Sequence, residues 1–421
     1  MTTIHRTAPT TTAAAPPLAD AYRAVRATTD WLCEPLATED YVVQAMPDAS
    51  PTRWHLAHTT WFFETFVLKP SIAGYRPFHP DFEFLFNSYY NAVGPQWTRS
   101  RRGQLTRPGV AEIRHYRRHV DAAMADLLDG GAFDAAVVTL GLNHEQQHQE
   151  LIVTDLKYLL SCNPLHPVYR PATSDGSAPA PALAWVRGPE GVLEIGFDGA
   201  GFAFDNEMPR HRVFVERFDL ASRAVTAGEY LEFIADGGYR RAELWLADGW
   251  NTVRERQWAA PLYWEERDGE WWMMTLAGAR PVAPAEPVTH VSLYEADAYA
   301  RWAGCRLPTE AEWEAIAAAA PVAGNFLEAG RFHPAPAPPG APAQLFGDVW
   351  EWTQSAYAAY PRYRPAAGAL GEYNAKFMCN QLVLRGGSCA TPRSHIRASY
   401  RNFFPADARW QFSGIRLARD A

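Results

Sequence analysis

Cysteine is scarce in this 421-residue chain: Cys33, Cys162, Cys305, Cys379 and Cys389 are scattered, with no CxxC pair. That pattern excludes a disulfide framework and a thiolate zinc site, and leaves Cys389, beside the glycines of RGGSCATP, as the one thiol to watch. Long apolar runs are also missing. Nothing approaches the roughly 20 residues of a membrane span, and the N-terminal MTTIHRTAPTTTAAAPPL lacks the apolar centre of a secretory signal, so a cytoplasmic location is expected. Positive charge is in deficit, with 39 Lys and Arg against 47 Asp and Glu. A net charge of −8 argues against nucleic acid or an anionic membrane as the main partner and favours small molecules. No internal repeat of fixed period is present. What is abundant is aromatic surface: 16 Trp, 18 Tyr and 21 Phe, enough for two or three substantial cores.

The chain has two textures. Up to about residue 165 it is helical in pattern: LADAYRAVRATTDWLC, SPTRWHLAHTTWFFETFVL, VAEIRHYRRHVDAAMADLLDG and FDAAVVTLGLNHEQQHQELIVTDLKYLLS each repeat apolar residues at three and four. Ser50 and Pro51 are expected as N-cap and first residue of the second segment, Pro70 follows its end, and Gly130-Gly131 closes the third. Four such segments predict an antiparallel four-helix bundle over 19–165, behind a disordered tail at 1–18. The connection between the second and third, rich in Pro, Gly and Asn, is too long to be idle. A Pro/Ala-rich linker follows at 166–184, then an α+β domain at 185–421 with short strands such as VLEIGF and HRVFVERFDLA. Two helices stand out there, TAGEYLEFIADGG and SLYEADAYARWAG, and APAPPGAPA is a surface loop.

Polar residues interrupt the fourth helical segment at GLNHEQQHQE. His144 and His148 are four apart, so on a helix they lie one above the other on a single face and can hold one object. Imidazole metal sites typically use three protein ligands. WHLAH in the second segment offers His55 and His58, and the spacing does not choose between them. Glu150 is tempting as a carboxylate ligand, yet the helical repeat turns it roughly 120° from the midpoint of the two histidines. A role outside the ligand set is expected for it, whereas Gln147 borders the metal-facing side.

The segments SPTRWHLAHTTWFFETFVL, LFNSYYNAVG, HEQQHQE, CRLPTEAEWE, GDVWEWTQS, LRGGSCATP and SYRNFFP with WQFSGIRLAR together resemble the sulfoxide synthases of ergothioneine biosynthesis. Those enzymes join a DinB-like helical bundle to a formylglycine-generating-enzyme-like domain related to C-type lectins. The resemblance implies a nonheme iron(II) site of three histidines, His58, His144 and His148, with His55 as a neighbour. It implies O2-dependent C–S bond formation at the imidazole C2 of hercynine, with cysteine or γ-glutamylcysteine as donor. The proton-donating acid maps to Tyr89 or Tyr90, in the branch that carries the adjacent tyrosines. Hercynine maps to Gln147, Asn402, Phe403 and Phe404, aromatic faces suiting a quaternary ammonium. For substrate carboxylates WTRSRRGQLTR offers Arg99, Arg101, Arg102 and Arg107, of which Arg101 and Arg107 are the expected contacts. Cys389 has no partner cysteine in the 32 residues after it, which disfavours sulfatase-activating chemistry. Two other readings compete: a relative joining a selenosugar to hercynine, and a non-catalytic small-molecule-binding protein on the same scaffold.

Overall fold

The computed structural model describes residues 17–172, 178–199, 201–340 and 342–421. The expected tail lies outside them except for its last two residues, as do residues 173–177 of the expected linker.

Four helices dominate the first half: α1 (Leu18–Cys33), α2 (Thr52–Phe63), α3 (Val110–Gly130) and α4 (Ala135–Ser161). The first two each pack against the last two. The Asp134 carboxylate caps α4 by accepting from the N–H groups of Ala136 and Val137. Two sequence expectations at α2 are corrected. Pro51, not Ser50, is the N-cap, because Ser50 is engaged elsewhere: its N–H donates to Asp155 Oδ2 at 2.8 Å and its hydroxyl accepts from Arg102 at 2.8 Å. Pro70 does not follow the end of the helix either. The chain continues through a π turn at Glu64–Leu68, and Pro70 lies inside the final turn, Lys69–Ser71. Buried Glu64 holds that turn by accepting from the hydroxyls of Tyr75 and Tyr116 and from the Phe78 N–H. Every residue of α2 is buried, its histidines included.

The second half is built on small sheets. A four-stranded sheet runs in the order Asn402–Phe404, Leu382–Arg385, Trp350–Ala356, Ser413–Gly414, the last pair parallel and the others antiparallel. Its motifs are ion-pair halves. Glu310 and Glu314 of RLPTEAEWE meet Arg385 of LRGGS, Glu310 also meets Arg401 of SYRNFFP, and Glu351 of GDVWEW meets Arg416 of SGIRLAR. All of these side chains are buried, and breaking such a pair costs about 3–5 kcal/mol because a charge is left uncompensated. Among the described residues, four helices of eight or more residues occur here rather than two. Ala227–Ala235 and Leu293–Trp302 match the sequence pattern, while Ala247–Arg256 and Glu310–Ala317 were not anticipated. The second of these carries a readable signal in Thr309 and Glu312, which form a capping box.

The expected linker begins as packed structure. The Tyr169 hydroxyl donates to the Leu32 carbonyl of α1 at 2.6 Å, and its N–H donates to Leu276 of the second half at 2.9 Å. Glu150 of α4 crosses between the halves in the same way: its carboxylate accepts from Trp350 Nε1, Ser388 Oγ and Thr391 Oγ1 at 2.7, 2.5 and 2.7 Å. Cys389 is fully buried in the same apolar cluster, and all five cysteines are free thiols.

Candidate metal centre

Where α2 faces α4, the ligand atoms of His58, His144 and His148 all lie within 4.8 Å of one another. The helical repeat explains the pair on α4, and packing brings His58 into the cluster with both, while His55 meets only the Nδ1 side of His148. The His58 ring is sandwiched between Trp54 and Trp61, with centroids at 4.5 and 5.4 Å. Its Nδ1 donates to the Phe86 carbonyl at 2.6 Å, which leaves Nε2 with a bare lone pair 3.2 Å from His144 Nε2. Burial lowers the pKa of all three imidazoles, that of His144 to about 4, so each is neutral at pH 7 and able to coordinate. Neutral imidazoles crowded nitrogen to nitrogen in a buried site suit a cation, and nitrogen donors of this kind suit first-row transition metals. Glu150 points away from the three, toward the second half.

The three histidines stand in the wall of a cleft of about 650 Å³ to which both halves contribute. Of the residues expected from sequence, Tyr89, Tyr90, Gln147, Asn402, Phe403 and Phe404 line it. The Gln147 amide donates to the Tyr400 hydroxyl at 2.8 Å, and Phe403 stacks on Tyr357 with centroids 4.0 Å apart. Tyr89 adopts φ +69°, and its hydroxyl accepts from Arg99. Tyr90 is buried against Trp61 and Phe66, and that burial raises its phenol pKa, so it keeps its proton at neutral pH.

Arg101 and Arg107 do not join this cluster. Both are exposed, neither lines the cleft, and Arg107 donates to its neighbouring carbonyl, Thr106. Arg99 and Arg102 line it instead. Residues Arg99–Gln104 form a 3₁₀ turn, in which positions three apart share a face, so Arg99 and Arg102 both face the cleft, Arg99 still exposed and Arg102 buried, while Arg101 faces away. Arg102 is buried, hydrogen-bonded to Ser50 and Ser88, with no carboxylate partner among the described residues. Burial lowers its pKa to about 9, which marks a guanidinium in want of an anion.

Sequence reasoning also missed a set of residues from the second half that hold the tyrosine loop. The Glu372 carboxylate accepts from the N–H groups of Asn91 and Ala92 at 2.9 and 2.8 Å, Lys376 donates to the Tyr89 carbonyl, and Tyr373 and Phe377 pack on the Tyr89 ring. GEYNAKFMCN carries no motif that announces this.

Residues 21–152 match the family model described as the DinB superfamily, and residues 173–340 and 329–421 match the sulfatase-modifying factor enzyme 1-like domain. The chain is 34% identical over 420 residues to the hercynine oxygenase of Mycolicibacterium thermoresistibile, spanning 89% of this chain and 88% of that protein. It is 34% identical over 406 residues to the hercynine oxygenase of Mycobacterium tuberculosis, spanning 89% and 92%. Ergothioneine biosynthesis protein 1 of Schizosaccharomyces pombe is 29% identical over 235 residues, covering 52% of this chain and 28% of that protein.

Proposed function

Because this chain belongs to the hercynine oxygenase family, whose members it matches along nearly all of its length, we propose that it is a nonheme iron(II) sulfoxide synthase acting on hercynine and cysteine with O2. The observation that carries the reading is the trio of neutral imidazoles on two facing helices, two of them buried and His144 half-buried, opening into a cleft shared with the second domain. Iron(II) held by His58, His144 and His148 would supply O2 activation and draw the donor sulfur and the hercynine imidazole together.

The chain's own groups do the rest. Gln147, fixed by Tyr400, borders the histidines and is placed to orient the hercynine ring, while Phe403 and Phe404 offer the aromatic faces that a trimethylammonium prefers. Arg99 and Arg102 take the place expected for Arg101 and Arg107 as partners for a substrate carboxylate, since of the arginines in this loop these two line the cleft. The proton donor is Tyr89 or Tyr90. The Tyr89 oxygen accepts from Arg99 and keeps its own hydrogen free to give, and Tyr90 holds its proton in a water-poor wall.

Iron-loaded protein incubated in air with hercynine and, separately, cysteine, γ-glutamylcysteine and a selenosugar tests the proposal by product mass. Cysteine should give the sulfoxide at the highest turnover. Product formed only from γ-glutamylcysteine, or only from the selenosugar, overturns the donor assignment, and no product from any donor overturns the reaction.

A further inference from the structure

His55 lies one helical turn before His58 and is as deeply buried, yet it stands outside the metal-binding trio. Its two ring nitrogens are both engaged. Nε2 is 3.1 Å from Asp155 Oδ2, and Nδ1 is 2.8 Å from His148 Nδ1. Asp155 lies seven residues after His148 on α4, two helical turns on, so it stays on the same face of that helix. Two fixed donors converge on its Oδ2: the His55 ring and the Ser50 N–H at 2.8 Å, beside the N-terminus of α2 where a negative charge is favoured.

We infer that Asp155 and His55 form a relay that fixes the tautomer of His148 and so presents its Nε2 to the metal. The logic runs from the carboxylate outward. A carboxylate only accepts, so His55 must carry its proton on Nε2, which leaves Nδ1 bare. A bare Nδ1 accepts from His148, so His148 must carry its own proton on Nδ1. The lone pair of His148 then resides on Nε2. His58 reaches the same state by a different device, the Phe86 carbonyl. His144 has neither, since its Nδ1 is buried without a protein partner among the described residues. The relay makes His55 and Asp155 positioning residues, which act through His148.

The inference rests on the three-histidine metal site proposed above. Its test is metal affinity, read with cobalt(II) as the probe by competition with a chelator and by the visible absorption of the bound ion. Removing a group that orients a ligand histidine typically weakens metal binding about 10–100-fold. His55→Ala should fall in that range and shift the cobalt spectrum. Asp155→Leu, similar in size, should also weaken binding, because it removes the acceptor that holds the His55 proton on Nε2. His55→Gln, whose carbonyl can still accept from His148, should recover part of the loss. Melting of the metal-free proteins identifies any variant that is not folded, and the milder His55→Gln keeps the comparison open if His55→Ala or Asp155→Leu is among them, since it should still bind less tightly than the parent. Parental affinity and spectrum in every folded variant of His55 and Asp155 overturns the relay. Should His58→Ala and His148→Ala bind cobalt as the parent does, the metal site itself is wrong, a result separable from failure of the relay alone.

Discussion

Replacing Glu150 separates a structural carboxylate from a metal ligand. Its Oε1 accepts from Trp350 Nε1 and Ser388 Oγ, and its Oε2 accepts from Thr391 Oγ1. In Glu150→Gln the amide oxygen can keep the first two bonds, and the amide nitrogen then faces the Thr391 hydroxyl, which can turn and accept. Only the charge assistance is lost, so the cost should be about 1–2 kcal/mol. Glu150→Ala strands three donors in a buried interface, and at about 1–3 kcal/mol for each, a loss of at least about 3 kcal/mol is expected. Both variants should still bind one equivalent of metal, because the carboxylate is directed away from His58, His144 and His148. Metal content by elemental analysis, read beside thermal unfolding, provides the assay. Loss of stoichiometric metal from folded Glu150→Gln would place the carboxylate among the ligands and refute the reasoning.

Three further outcomes are expected. Tyr89→Phe or Tyr90→Phe should keep metal and hercynine binding but sharply lower sulfoxide formation in one of the two, with donor oxidation to a sulfinate rising in its place; parental rates without sulfinate in both would make the loop structural. Arg102→Gln should raise the KM for the donor at least about tenfold with a smaller change in kcat, since a buried cation without a protein counter-ion is given up; an unchanged KM moves the donor carboxylate elsewhere. Lys157 is buried against His290 and the rings of Tyr263 and Phe412, and burial depresses its pKa to about 7 from an ordinary value near 10.4. A depressed pKa contributes stability that is present above the unfolded value and lost as pH falls through the folded one. The parent should therefore gain on the order of 2 kcal/mol over Lys157→Met between pH 7 and pH 9 in urea unfolding, and parallel pH profiles would contradict this.

Much of the molecule is legible before any folding is considered. Apolar spacing locates α1, α3 and α4 within a residue or two, since the period of a helix is a property of the chain itself, while the second segment runs past Phe63 into the π turn. The same period pairs His144 with His148 and turns Glu150 aside. Period also has a limit, in that it says which residues of one helix share a face and nothing about what lies across from that face. The run from His144 to Glu150 shows this. Glu145 and Gln149 turn into the bundle, to Arg26, Arg117 and Thr29, whereas His144 and His148 meet α2, and Gln146, Gln147 and Glu150 reach the second domain. Three partners were decided by three different neighbours.

The choice of His58 over His55 belongs to tertiary structure for the same reason. Both are on α2 and both are buried, and only the register of α2 against α4 puts one in the three-histidine cluster and the other between His148 and Asp155. The arginines fail from sequence by a shorter route. In WTRSRRGQLTR the side chains are chemically alike, and their directions depend on a 3₁₀ turn whose three-residue repeat turns Arg99 and Arg102 to the cleft and Arg101 away. Residue type and spacing along a regular helix are written in the chain; the facing partner, and the direction of a side chain on an irregular loop, exist only once distant segments have packed.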